Sequence, residues 1–279
     1  MKKIIALFFI GLAIAVPPAI AQVPSEAAEA ANNLGDEYAE RGNYTEAIAQ
    51  YDQAIRLHPQ YAEAYNNRGV AYYNKKDYDR AIADYTEAIR LNPNDVDVYI
   101  NRGIAYDDKD DYDRAIADYN QAIRLDPNYA DAYFNRGIAY INKNDYDRAI
   151  ADYTEAIRLN PDYTGAYYNR GNVYRNKNDY DRAIADYNEA IWLNPDFTDA
   201  YFNRGLSYIH KNEFDRAIAD YTEVIRLTPN DADAYFYRGV AYYYKNDYDK
   251  SISDFEAILR INPNDADAKN ALETVRKGR

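Results

Sequence analysis

Apolar residues recur at spacings of three and four in blocks that end at proline, and Asp77 to Asn94, DYDRAIADYTEAIRLNPN, shows the pattern in full. Ala81, Ile82, Tyr85, Ala88, Ile89 and Leu91 form one stripe of a helix with 3.6 residues per turn. Asp77 is placed to cap the free amides at the start, Asp79 suits the positive end of the helix dipole, and Arg90 suits the negative end. Pro93 forbids continuation because it has no N–H to donate. A preceding block, Ala62 to Asn74, is also helix-periodic, and a Lys/Asn/Asp turn joins the two. The pattern predicts an all-α chain of helix pairs.

The block returns every 34 residues: glycine at 35, 69, 103, 137, 171, 205 and 239, and proline at 59, 93, 127, 161, 195, 229 and 263. The period predicts seven repeats, 28–61, 62–95, 96–129, 130–163, 164–197, 198–231 and 232–265, with no linker long enough to separate domains. One helix pair cannot bury its own apolar face, so each must be covered by the next. Glycine at repeat position 8 is a poor helix former, and close approach of the partner helix is the expected reason for it.

Aromatic, Gly, Tyr, Ala, aromatic, Ala and Pro at positions 4, 8, 11, 20, 24, 27 and 32, as in Tyr133, Gly137, Tyr140, Ala149, Tyr153, Ala156 and Pro161, resemble the tetratricopeptide repeat. The resemblance covers residues 28–265. It implies a right-handed superhelical solenoid of antiparallel helix pairs, whose first helices line a concave groove. Tyrosine stands where the family often has tryptophan, and arginine where it often has leucine.

The ends differ from the repeats. Lys2 and Lys3 precede an apolar run from Ile4 to Val16, then Pro17-Pro18 and Ala19-Ile20-Ala21. This reads as a secretory signal peptide over 1–21, cut after Ala21, and 22–27 as a lead-in. The apolar run is shorter than the ~20 residues needed to span a bilayer, so no integral span is expected after cleavage. The expected location is the periplasm or the extracellular space, in soluble form. At the other end, 266–279 is expected to form a capping helix and tail, with Ala268, Ala271, Leu272 and Val275 on its inner side.

Composition narrows the function. The net charge is −13, and removal of Lys2 and Lys3 with the leader makes it −15, which argues against nucleic acid and anionic lipid as partners. The absence of cysteine removes thiol catalysis and cysteine metal sites. His58 and His210 lie far apart in sequence without helper ligands, so no metal or cofactor is expected. Carboxylates recur with the period instead of converging on one cluster, so no catalytic site, enzyme activity or small-molecule substrate is expected.

Two further series follow the period. Arginine at 68, 102, 136, 170, 204 and 238 accompanies aspartate at 84, 118, 152, 186, 220 and 254, and the first repeat lacks both. This joint occurrence predicts pairing between the helices of a repeat, since an arginine on a packed face needs a carboxylate. Asparagine at position 6 occurs at Asn33, Asn67, Asn101, Asn135, Asn169 and Asn203, and Tyr237 ends the row. By the resemblance this position faces the groove, and the row is similar to the asparagine ladder of O-linked N-acetylglucosamine transferases. Amides supply both donor and acceptor for an extended peptide backbone. The alternative is that they are solvated or bond between neighbouring first helices.

Groove positions that vary change from acidic to aromatic. Asp36, Glu40, Asp107 and Asp108 occur early, and Phe134, Tyr168, Phe202, Phe236, Tyr237, Tyr243 and Tyr244 later, part of the aromatic set serving as inter-helix packing. Basic residues are missing from positions 5 and 6, which disfavours the family's carboxylate clamp for chaperone tails. The expected function is an exported interaction scaffold or adaptor that binds an extended protein segment with basic and aromatic or aliphatic residues. The alternative is an assembly protein that self-associates through its convex face or ends.

Overall fold

The computed structural model describes residues 23–278. The leader expected over Met1 to Ala21, with its cut before Gln22, lies outside the described residues. The chain forms two compact units, the first ending at Val98 and the second beginning at Tyr99. The first holds α1 (Glu26–Glu40), α2 (Tyr44–Leu57), α3 (Ala62–Asn74) and α4 (Tyr78–Leu91). The boundary falls in α5 (Val96–Asp107), and the second unit continues with α6 (Tyr112–Leu125), α7 (Ala130–Asn142), α8 (Tyr146–Leu159), α9 (Thr164–Asn176) and α10 (Tyr180–Leu193). It ends with α11 (Thr198–His210), α12 (Phe214–Leu227), α13 (Ala232–Tyr244), α14 (Tyr248–Ile261) and α15 (Ala266–Gly278). All fifteen elements of the described residues are helices, and within each unit consecutive helices pack as pairs that stack on the next pair.

The repeat sequence explains the joints. Asp145 accepts a hydrogen bond from the Arg148 amide at 3.2 Å, capping α8, and Asp111, Asp179 and Asp247 cap α6, α10 and α14 in the same way. Just before each cap the backbone turns left-handed, at Asn144 with φ of 59° and Asn178 with φ of 60°. Asparagine tolerates that region better than most residues, which accounts for its recurrence there. After α8 the Asn160 side chain accepts from the Asp162 amide at 3.2 Å, fixing the turn that carries Pro161.

Small residues let the paired helices meet. A Cβ on Gly137 would lie 2.7 Å from Cε1 of Tyr153, a ring that is almost wholly buried. Ala149, Tyr153 and Ala156 of one pair form a core with Ala166 and Val173 of the next, with Ile157 at its edge. This is the expected covering of one pair by its neighbour. At the C-terminal end Ala268, Leu272 and Val275 of α15 close over Phe255 and Ile258, while Lys269, Asn270, Glu273 and Arg276 stay exposed.

The start of the chain departs from the expected lead-in. α1 begins at Glu26, and Ser25 caps it by accepting from the Ala28 amide at 3.3 Å. A serine two residues ahead of the first apolar position supplied the cap, so the helix starts inside the segment expected to be irregular.

Candidate binding face

The arginine and aspartate series pair as expected and so are occupied by the fold. Arg136 Nε donates to Asp152 Oδ2 at 2.8 Å and Nη2 to Oδ1 at 2.6 Å, a two-pronged contact repeated by Arg170 with Asp186, Arg204 with Asp220 and Arg238 with Asp254. Burial pushes the Asp152 carboxyl up and Arg136 opposes that, while the same pair holds the guanidinium above its ordinary range. The remaining Nη1 reaches the preceding second helix, Arg170 to Thr154 at 2.9 Å and Arg204 to Asn188 at 2.7 Å. This third prong was not read from the sequence, although Thr or Asn recurs at that position. Lys177 Nζ to Asp147 Oδ1 at 2.6 Å also joins successive pairs.

The asparagine row divides. In the first unit Asn67 is half-buried and donates to Asp36 at 3.0 Å and Asn32 at 3.4 Å, so it bonds between first helices. Asp36 also accepts from the Tyr51 hydroxyl at 2.8 Å. Its carboxylate is therefore committed inside the protein, and burial raises its pKa. Asn33 is exposed, and the buried Asn32 takes its place in this network. In the second unit Asn101, Asn135, Asn169 and Asn203 are each half-buried on α5, α7, α9 and α11. Asn169 lies beside Tyr153 on α8.

The aromatic candidates are shared between surface and core. Phe134 stacks on Tyr163 at 4.7 Å, Tyr168 packs on Phe197 at 4.8 Å, and Phe202 and Phe236 meet Tyr237 edge-on at 5.6 and 5.7 Å. All four are half-buried. Tyr243 is half-buried beside Tyr248, and Tyr244 is 60% exposed and stacked on Phe214. Asp108 is exposed and Asp107 half-buried, with its carboxyl pushed up by burial and bonded by Asn142 at 3.4 Å. His210 is exposed and stacks on Tyr180 at 4.8 Å.

An open cleft between α7 and α9 has Ile138 and Ile141 as its apolar surface, over the buried Val173 and Tyr153, and Asn169, Asn172 and Asn176 as its amide rim. Spacings of three and four place the three asparagines on one side of α9. Among the described residues no group of three or more His, Asp or Glu side chains is placed to hold a metal, and no helix is long and apolar enough to cross a membrane.

One network here was missed in the sequence. Arg175 Nη1 donates to Asn203 Oδ1 at 2.7 Å, and Asn203 Nδ2 donates to Tyr168 Oη at 2.9 Å and Asn172 Oδ1 at 3.2 Å. The Tyr187 hydroxyl donates to the same Asn172 oxygen at 2.8 Å. Arg175 takes the place of Ile141 and Ile209 on the neighbouring first helices, and that departure from the period was the available signal.

Comparison with known proteins agrees with this architecture. Family models described as TPR repeat and tetratricopeptide repeat match residues 35–76, 62–95 and 165–197, and 100–164 and 202–266. A search of the curated proteins finds no match. Among solved structures, YrrB, described as a TPR protein with an unusual peptide-binding site, is 28% identical over 68% of this chain and 97% of its own, with a TM-score of 0.61. MamA is 30% identical over 62% of this chain and 94% of its own, with a TM-score of 0.56. The C-terminal part of a TPR repeat-containing protein from Cytophaga hutchinsonii is 22% identical over 86% of this chain and 98% of its own, with a TM-score of 0.74. With its helix pairs, its recurrent Gly–Tyr contacts and these matches, the chain belongs to the tetratricopeptide repeat family.

Proposed function

We propose that the chain is an exported protein-interaction scaffold of seven repeats that holds an extended polypeptide along the first helices of its second unit. The observation that carries this reading is the cleft between α7 and α9, where aliphatic side chains lie beside the amides of Asn169, Asn172 and Asn176. Apolar surface takes ligand side chains, and amides take a peptide backbone whatever its sequence. The peptide-binding site named for YrrB, at 28% identity, supports a similar use here. Selectivity then falls to the variable residues, Phe202, Phe236 and Tyr243 for apolar side chains and Asp107 and Asp108 for basic ones. Export rests on the acid-poor start and Ala19-Ile20-Ala21, and mass spectrometry of native protein beginning at Gln22 would support it.

A peptide array tests the binding mode. Asn135→Ala with Asn169→Ala is expected to weaken all bound peptides alike, by about 1 to 3 kcal/mol. Phe202→Ala with Phe236→Ala is expected to reduce discrimination among peptides, provided far-UV circular dichroism shows the helices intact. Binding unchanged by both pairs would contradict this assignment of the face. The assembly alternative draws on Trp192, 74% exposed on α10. Sedimentation without a partner separates the two, because only assembly requires oligomers of the chain alone.

A further inference from the structure

Seven arginines among the described residues are half-buried, and six have an aspartate in a salt bridge. Arg175 has none among the described residues; its side chain donates to the neutral amide oxygen of Asn203. Its guanidinium therefore keeps a full positive charge that no aspartate offsets, and an anion from outside the protein is its natural complement.

The network also dictates what the site offers. Arginine has no acceptor, so Asn203 must turn its oxygen to Arg175 and its NH2 towards Asn172. Asn172 must then present its oxygen, which already accepts from both Asn203 and Tyr187. The Asn172 NH2 and the remaining guanidinium N–H groups are left for a ligand, and all are donors.

We infer that Arg175 and Asn172 bind a side-chain carboxylate of the ligand, so that the segment held by this face carries an internal Asp or Glu next to an aliphatic residue seated by Ile138 and Ile141. This rests on the proposed peptide-binding face and adds a charge requirement to it. The anion is internal to the segment because the apolar cleft lies on the α7 side of α9 while Phe202 and Ile209 lie on the α11 side, so apolar surface flanks the donors in both directions.

The test uses the full mature chain and acetylated, amidated peptides that place Glu, Gln or Lys between leucines. Wild type is expected to prefer the Glu peptide, and Arg175→Ile, which restores the residue of the neighbouring helices, to lose that preference by roughly tenfold. Arg175→Glu should instead favour the Lys peptide, a reversal that loss of folding cannot produce. Glu and Gln peptides bound equally by wild type would overturn the inference while leaving the peptide-binding face standing. Preference for Glu retained in Arg175→Ile, or shown only by peptides with a free C-terminal carboxylate, would also overturn it. Absence of binding to every peptide would overturn the inference and the proposed binding face together.

Discussion

Arg136 and Asp152 show how a charged pair serves packing. The aspartate side chain is 7% exposed and the arginine 18%, so removing one charge strands the other in a place with little water. Arg136→Leu is expected to cost roughly 3 kcal/mol, and Arg136→Leu with Asp152→Leu much less. Chemical denaturation of the four proteins in this cycle measures the coupling, and additive losses would contradict the pairing account. Tyr221 gives a contrasting case. Its hydroxyl is buried without a hydrogen-bond partner, because Leu206 stands where Asn172 receives the Tyr187 hydroxyl. Tyr221→Phe should therefore raise stability by about 1 kcal/mol and Tyr187→Phe lower it by a similar amount, read from denaturation midpoints. The arginine–aspartate pair was legible because both members appear and vanish together. Arg175 was not, because a residue that occurs once has no periodic companion to reveal its role.

At the scale of the element, five second helices, α4, α6, α8, α10 and α14, are fixed by aspartate caps. Arg148 bonds to Asp145 through both its side chain and its amide, and these hold the Asp145 carboxyl below the usual carboxylate range. A depressed folded pKa gives stability that is present above the unfolded value of 3.8 and is lost as pH falls through the lower folded value. Asp145→Ala should lower the thermal midpoint at neutral pH, and the gap from wild type should close on acidification below that range. A gap that widens in acid would contradict the capping account. Helix ends at Asp and Asn-Pro were readable because caps and prolines act locally. The start of α1 was not, since Ser25 lies outside the repeat and only its hydrogen bond to Ala28 shows its role. The aromatics at Phe134, Tyr168, Phe202 and Phe236 were visible as a series, but their division between surface and core depends on Tyr163, Phe197 and Tyr237, contacts that periodicity does not determine.

For the whole molecule, the central claim is that partners are held on first helices and the second helices serve as support. Photo-crosslinking tests it most directly. A photoreactive phenylalanine analogue replaces Ile141 on α7 in one protein and Trp192 on α10 in another, and each is irradiated with the best-bound array peptide. The account predicts peptide adducts from position 141 that excess unlabelled peptide suppresses, and none from position 192. Adducts from 192 with none from 141 would contradict it.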